Sequence, residues 1–136
     1  MRILLVEDKI SEAKRIKAAL EALGHAVIHI TGAKAIGDGT ISSLDNQTIE
    51  PKNFDVAFVD AGLEGNYHGW DLTPVLVHGG VVCVAISSGG QFNLLVEKAG
   101  AQLGLAKEQV VTDLQQGHLQ LEWIVTKYGR QAKPTP

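Results

Sequence analysis

The feature that most constrains the fold is a repeated alternation of short apolar runs with longer amphipathic stretches. The first run, Ile3–Val6, is continuously apolar, which is typical of a strand that is covered on both faces. Apolar residues then recur every three or four positions, as on one face of a helix, at Ile10, Ala13, Ile16, Leu20 and Leu23. Gly24 is expected to end that helix. The opening of the chain therefore predicts a buried strand followed by a covering helix.

The same alternation continues to residue 128. Further strands are predicted at 26–30, 56–59, 81–86 and 102–106. Further helices are predicted from Trp70 with Pro74 in the first turn, along a stripe of Phe92, Leu95, Val96 and Ala99, and from Glu108 to Tyr128 with His118 inward. Residues 31–53 are weakly periodic, and we expect a short helix and a long loop there. Five strands alternating with five helices predict an α/β fold, with a doubly wound parallel sheet and helices on both faces.

Length, charge and cysteine content narrow the class of protein. The 136 residues fit one domain, which we expect to span 1–128 with a loose polar tail at 129–136. A net charge of −3 argues against direct binding of nucleic acid. The apolar runs are too short for a membrane span, and the start lacks a secretory layout, so a cytoplasmic domain is expected. Cys83, the one cysteine, is predicted to be a buried apolar residue.

Reactive or charged side chains follow four of the five predicted strands. They are Glu7 and Asp8 after the first strand, Asp60 after the third, Ser87 after the fourth and Lys107 after the fifth. In a doubly wound sheet, the carboxyl ends of the strands meet at one edge, where functional crevices lie. Neighbouring carboxylates repel one another unless a cation or a shifted protonation compensates, and Mg²⁺ prefers such oxygen ligands. With a hydroxyl and an ammonium beside them, the set predicts a site for metal and phosphoryl.

Several segments resemble the receiver domain of response regulators in two-component signalling. Met1–Asp8 resembles the family's opening strand, and Phe54–Asp60 resembles its phosphoacceptor strand. Gly100-Ala101, followed six residues later by Lys107, is similar to its conserved lysine segment. Gly24-His25 with Val27 resembles its turn into the second strand, and Ser87 stands where the family has threonine or serine. The resemblance covers residues 1 to about 128 and implies a flavodoxin-like sheet of five parallel strands in the order 2-1-3-4-5.

The resemblance also implies a role for each of these residues. Asp60 would accept a phosphoryl group from a histidine kinase or a phosphotransfer protein, in a reaction that the domain itself assists without being an enzyme in the usual sense. Mg²⁺ would be held by the carboxylates of Asp8 and Asp60, by Glu7 mainly through water, and by the backbone carbonyl of Gly62. Ser87 and Lys107 would hold the phosphoryl oxygens. A separate downstream effector protein would read the signal, since no output domain follows.

The sequence departs from the family at four places. Glu108 follows the lysine and Glu64 follows the phosphoacceptor by four residues, where the family has proline at both positions. Gly104 stands where the family has an aromatic side chain that moves on activation, which leaves a gap for a neighbouring helix to fill or a partner to enter. The region 31–53 is longer than usual. We therefore expect an intact pocket and an atypical signalling surface.

The sequence leaves one alternative function open, disfavours two others and indicates one candidate surface patch. The departures at Gly104 and Glu108 favour, as an alternative, a receiver-like interaction module that is not phosphorylated. A flavin carrier is disfavoured because Glu7 and Asp8 would repel phosphate, and a phosphatase because Asp60-Ala61-Gly62 lacks a second acid. We also expect Leu119 and Trp123 on the outer side of the last helix, as a candidate partner patch.

Overall fold

The structure is a computed structural model that describes residues 1–63 and 67–130. Its strands are β1 (Arg2–Val6), β2 (Ala26–Ile30), β3 (Ala33–Gly37), β4 (Thr40–Ser43), β5 (Thr48–Ile49), β6 (Val56–Asp60), β7 (Val82–Ser87) and β8 (Leu103–Ala106). Its helices are α1 (Ile10–Ala22), α2 (Gly69–His78), α3 (Asn93–Lys98), α4 (Lys107–Gln115) and α5 (Leu121–Tyr128). Two short 3-10 turns lie at Pro51–Asn53 and Ser88–Gly90.

Five of the strands form one parallel sheet in the order β2-β1-β6-β7-β8. These are the five strands that the sequence predicts, and their order is the expected 2-1-3-4-5. Because all five run the same way, their carboxyl ends lie along a single edge of the sheet. The predicted flavodoxin-like fold is therefore confirmed.

The central sheet is covered on both faces, which explains the uninterrupted apolar run of β1. Ile3 and Leu5 belong to the core beneath α1, α4 and α5, whereas Leu4 and Val6 belong to the core on the opposite face. Side chains alternate along a strand, so a strand buried on both sides needs apolar residues at every position. Cys83 is fully buried in the second core, as predicted, and burial raises the pKa of its thiol to about 12.

The helix expected within residues 31–53 is absent, and this prediction was wrong. The segment instead forms a three-stranded antiparallel sheet, β3-β4-β5, that covers one face of the central sheet with Ile41 and Ile49. Asp38 and Gly39 both have positive φ, 55° and 73°, in the two-residue turn between β3 and β4. Asp-Gly favours this hairpin geometry. The hairpin signal is present in the sequence, and the weak periodicity obscured it.

The single helix predicted from Glu108 to Tyr128 is in fact two helices, α4 and α5. Gly117 interrupts them with φ +74°, a backbone conformation that favours glycine. The break reverses two expectations, because the His118 side chain is 65% exposed and Leu119 is buried. Trp123 is exposed as predicted, but it and Leu119 line a cavity of about 380 Å³ beside β8 rather than an outer patch.

Smaller differences follow from the short helices. Pro74 was expected in the first turn of its helix, but it lies in the second turn of α2, because the helix begins at Gly69. Of the stripe predicted along α3, Val96 is fully buried, whereas Phe92 and Leu95 are 48% and 44% exposed. At the end of the described chain, the Arg130 guanidinium donates hydrogen bonds to the carbonyls of Pro51 and Phe54. Residues 131–136 of the predicted tail lie outside the described residues.

Candidate functional site

The parallel sheet brings the predicted site residues to one edge. Glu7 follows β1, Asp60 ends β6, Ser87 ends β7, and Lys107 follows β8 as the first residue of α4. Asp60, Ser87 and Lys107 line a cleft of about 160 Å³, together with Asp8 and Gly62. The grouping that the strand ends predict is therefore present in the fold.

The centre of this site is a buried cluster of three charged groups. The ammonium of Lys107 donates a hydrogen bond to Asp60 Oδ2 at 3.0 Å. The same Nζ lies 2.8 Å from Glu7 Oε1, close enough for an ion pair but without the geometry of a hydrogen bond. Lys107, Asp60 and Glu7 are only 5%, 2% and 0% exposed. One ammonium cannot neutralise two buried carboxylates, so the cluster needs a proton or a further cation.

The pKa directions show where a proton resides when no cation is bound. Burial, assisted by the hydrogen bond and charge of Asp60, raises the pKa of Glu7 to about 8. Burial also opposes the charged form of Asp60, yet its hydrogen bonds with Glu7, Gly62 and Lys107 hold its pKa below the ordinary value. Burial works against the charge of Lys107 as well, but Glu7 and Asp60 outweigh it and raise its pKa. Glu7 therefore holds the proton, Asp60 stays ionised and Lys107 stays charged.

Backbone amides fix the two carboxylates in place. The amide of Gly62 donates to Asp60 Oδ1 at 2.9 Å, and the amide of Lys9 donates to Glu7 Oε2 at 3.3 Å. Glu7 Oε1, although buried, accepts no hydrogen bond from the described residues. This leaves one carboxylate oxygen aimed into the cluster with coordination capacity to spare. For Gly62, the contact shown is made by the amide, and its carbonyl as a metal ligand stays a prediction.

The acidic residues fit the requirements of a hard divalent cation. Glu7, Asp8 and Asp60 each offer a carboxylate oxygen, and these oxygens lie within 4.8 Å of one another. Magnesium takes oxygen ligands at short distances, usually one or two carboxylates with water. Glu7 Oε1 is buried, contacts the Lys107 ammonium as an ion pair and accepts no hydrogen bond from the described residues, which is the further observation in favour of such an ion. The donor set is thus chemically suited to Mg²⁺.

Ser87 is buried at the edge of the cleft and is connected to a residue that the sequence did not single out. Its hydroxyl donates to Asn93 Oδ1 at 2.9 Å and accepts a hydrogen bond from the amide of Phe92 at 3.3 Å. Asn93 also donates from Nδ2 to the carbonyl of Leu105 at 2.9 Å. No pattern in the sequence pointed to Asn93, because its contacts with Ser87 and Leu105 arise only in the folded chain.

Glu108, which stands after Lys107 where the receiver family has proline, makes hydrogen bonds beside the cleft. The carboxylate of Glu108 accepts hydrogen bonds from the amide of Gly89, with N–O distances of 3.1 and 3.2 Å. Backbone hydrogen bonds, first its own and then that of Gly89, lower the pKa of Glu108. The contact ties the 3-10 turn Ser88–Gly90 to the start of α4. The other substituted proline position, Glu64, lies outside the described residues.

Comparison with known proteins finds similarity to solved structures but not to protein families or curated sequences. No protein-family profile and no curated protein matches the chain. Among solved structures, a CheY-like response regulator receiver domain protein from Methanospirillum hungatei has a TM-score of 0.66 at 21% identity, covering 93% of this chain and 94% of its own. NtrX from Brucella abortus, solved with ADP, has a TM-score of 0.68 at 19% identity over 92% of this chain. The match spans 27% of the NtrX chain.

A third solved structure carries a modification. It is a response regulator protein from Burkholderia pseudomallei, with a phosphorylated aspartic acid, a calcium ion and citrate. Its TM-score is 0.56 at 20% identity, and the match covers 96% of this chain and 68% of that one. At identities this low the likeness concerns the fold. The chain has the fold of the response-regulator receiver domains that its sequence resembles.

Proposed function

We propose that this chain is a receiver that accepts a phosphoryl group on Asp60 and signals through a separate protein. The observation that carries the proposal is the buried Lys107 ammonium, which lies within 3.0 Å of both the Asp60 and Glu7 carboxylates. Buried charges are costly, and breaking such a cluster is strongly unfavourable, so groups of this kind are concentrated at functional sites. The solved Burkholderia protein with a phosphorylated aspartic acid supports the same chemistry on this fold.

The reaction requires little beyond positioning and charge. An oxygen of Asp60 attacks the phosphorus of a phosphohistidine, the P–N bond breaks as a P–O bond forms, and the departing imidazole nitrogen takes a proton from solvent. The Asp60 carboxylate becomes an acyl phosphate, so its negative charge passes to the phosphoryl oxygens. Lys107 and Ser87 line the cleft beside Asp60, and we expect the ammonium and the hydroxyl to donate hydrogen bonds to the phosphoryl oxygens.

Glu7, Asp8 and Asp60 are the residues that we propose hold Mg²⁺, with the carbonyl of Gly62 as a further ligand. A bound Mg²⁺ would supply positive charge that lets the carboxylates and the incoming phosphoryl group approach one another. The acidic residues would hold that charge beside Asp60, whose Oδ2 also accepts a hydrogen bond from the Lys107 ammonium at 3.0 Å. This division of charge fits phosphoryl transfer, in which catalysis is mostly positioning and electrostatics.

The proposed partners follow from this chemistry. The phosphoryl donor is a histidine kinase or a phosphotransfer protein, and the proposed compartment is the cytoplasm. No helix in residues 1–63 and 67–130 combines the length and apolar character needed to cross a membrane. A downstream protein would read the phosphorylated state from the helices and loops around the cleft.

A second candidate function is a receiver-like interaction module that is never phosphorylated. It is favoured by the hydrogen bond from the amide of Gly89 to the Glu108 carboxylate, which holds the 3-10 turn Ser88–Gly90 beside the cleft. The β3-β4-β5 sheet also presents strands where the sequence predicts a helix. Both features alter surfaces that a phosphorylation-dependent partner would contact, and one experiment separates the two functions.

The deciding experiment is intact-mass measurement after treatment with acetyl phosphate and Mg²⁺. We expect the mass of one phosphoryl group on the wild type, removable by hydroxylamine as an acyl phosphate is, and none on Asp60→Asn. Asp38→Asn is the matched control, because Asp38 lies in the β3–β4 turn, where asparagine is also tolerated at positive φ. An unmodified wild type would favour the interaction module, and an adduct on Asp60→Asn would refute the assignment of Asp60.

A further inference from the structure

Asn93 joins the candidate site to strand β8. Its carboxamide accepts a hydrogen bond from Ser87 on one side and donates one to the carbonyl of Leu105 on the other. The orientation is determined by chemistry, because a carbonyl can only accept, so Nδ2 must face Leu105 and Oδ1 must face Ser87. Asn93 is 6% exposed, so both bonds are shielded from water.

Gly104 provides the space that this arrangement needs. A Cβ added at Gly104 would lie 2.7 Å from Asn93 Cβ and 3.0 Å from its Cγ and Nδ2. Of the two occupants expected for the gap at Gly104, the neighbouring helix is the one observed, through the first residue of α3. Gly104 and Asn93 are therefore complementary in size. Gly104 has no side chain that could move on activation, and the side chain of Asn93 occupies the space beside it.

The hydroxyl of Ser87 cannot donate to Asn93 and to a group in the cleft at the same time. It has one proton, which it now donates to Asn93 Oδ1. Ser87 also lines the cleft that contains Asp60, where a phosphoryl group would present charged oxygens. Hydrogen bonds to charged acceptors are about twice as strong as neutral ones. A phosphoryl group on Asp60 would therefore compete with Asn93 Oδ1 for the hydrogen bond that the Ser87 hydroxyl donates.

Loss of that bond has a mechanical consequence. Ser87 is the donor that the described residues supply to Asn93 Oδ1, and a buried acceptor without a donor is unfavourable. The helix that begins at Asn93 is poorly anchored, because Asn93 and Val96 are its buried residues. Moving the first turn of α3 would also release the bond to Leu105 and so reach β8.

We propose that Asn93 is a positioning residue that couples the phosphorylation state of Asp60 to α3 and β8. Without phosphoryl, Asn93 holds the Ser87 hydroxyl turned away from the cleft. With phosphoryl, Ser87 leaves Asn93, and the start of α3 shifts against Gly104 and Leu105. This proposal rests on the proposed function, since it requires a phosphoryl group on Asp60.

The test compares steady-state phosphorylation of the wild type, Asn93→Ala, Ser87→Ala and the double variant at sub-saturating acetyl phosphate. Asn93→Ala removes the competing acceptor, so we expect phosphorylation about fivefold or more above the wild type. In the Ser87→Ala background, the same substitution should change phosphorylation less than about twofold, because the shared hydroxyl is gone. Leu94→Ala, on the exposed side of α3, is the control and should match the wild type.

Amide hydrogen exchange supplies the second readout. Phosphorylation of the wild type should change exchange at 93–98 and 103–106, and Asn93→Ala should lose the change at 103–106. If Asn93→Ala does not fold, Gly104→Ala replaces it, since its added Cβ would clash with Asn93 and force that side chain to shift. A wild type that is phosphorylated, with variants that behave as the wild type does, would overturn the coupling alone. A wild type that is never phosphorylated would overturn the proposed function, and the coupling with it.

Discussion

At the scale of single residues, Glu7 is the group whose protonation the fold alters most clearly. Burial and the adjacent Asp60 raise its pKa from 4.5 to about 8. A raised folded-state pKa means that the folded protein binds the proton more tightly than the unfolded chain does. The stability that Glu7 contributes is therefore complete below about pH 4.5 and is lost as the pH rises toward 8.

The corresponding prediction concerns Glu7→Gln in the absence of divalent ions. Between about pH 5 and pH 8, the free energy of unfolding of the wild type should fall relative to the variant by about 3 kcal/mol. Glutamine keeps the neutral shape of protonated Glu7 but cannot ionise. Urea unfolding of both proteins across this range measures the difference. A difference that stays constant with pH would show that Glu7 is ionised throughout.

Lys107 gives a second prediction at this scale. Replacing Lys107 with methionine leaves the ionised, buried Asp60 carboxylate without its ammonium, so the free energy of unfolding should fall by about 3 kcal/mol near neutral pH. The loss should grow above about pH 8, where Glu7 of the wild type ionises as well and gains from the ammonium. Lys98→Met, on exposed α3, is the control and should change stability by less than about 0.5 kcal/mol. Equal effects of the two substitutions in urea unfolding would contradict the buried cluster.

The sequence predicted correctly which residues lie close together in the cleft, because their positions at the ends of parallel strands determine this. Glu7, Asp60, Ser87 and Lys107 come together because parallel strands share one carboxyl edge. Asn93 was missed because its importance depends on contacts with Ser87, Gly104 and Leu105, which no pattern in the sequence joins. Proximity could therefore be predicted, whereas the direction of each hydrogen bond could not.

At the scale of secondary structure elements, the break between α4 and α5 is the feature that periodicity concealed. Gly117 has φ +74°, and a residue with a Cβ is unfavourable there. Gly117→Ala should lower the free energy of unfolding by about 1 kcal/mol. Gln116→Ala, at an exposed position with ordinary helical φ, is the matched control and should be close to neutral. If both substitutions are neutral in urea unfolding, the break at Gly117 is not required.

The β3-β4-β5 sheet provides the second test of an element. Ile41 is fully buried between this sheet and the central one, so Ile41→Ala should lower the free energy of unfolding by about 3 kcal/mol. Leu44, just beyond β4, is 47% exposed, and its replacement by alanine should cost less than about 1 kcal/mol. Similar small losses in thermal unfolding of both variants would mean that the sheet does not cover the core.

The elements that were predicted correctly differ from the others in the kind of signal they carry. The inner strands β1, β6 and β7 are apolar runs apart from a polar residue at one end, which burial on both faces demands. The strands within 31–53 are covered on one face only, and their pairing depends on turns at Asp38-Gly39 and near Asn46. The last helix kept its apolar spacing through Gly117, so spacing alone could not show the break.

At the scale of the whole molecule, the site holds more acidic groups than its one ammonium can neutralise when all of them are ionised. Two carboxylates and one ammonium are buried together, and a third carboxylate, Asp8, lies within reach of the same point. A ligand that binds only the folded state stabilises it by mass action, by about 2.7 kcal/mol when present at 100 times its dissociation constant. A cation that relieves the repulsion should therefore stabilise the entire fold.

The prediction is that Mg²⁺ raises the melting temperature and that Asp8→Ala removes most of this gain. Asp8 is the half-buried member of the carboxylate group, so its loss should weaken the ion site while disturbing the core less than a change at Glu7 or Asp60 would. Asp38→Asn, remote in the β3–β4 turn, should retain the full Mg²⁺ response. Melting curves that do not move at millimolar Mg²⁺ would show that the acidic cluster is not a magnesium site. A gain retained in full by Asp8→Ala would place the ion away from Asp8.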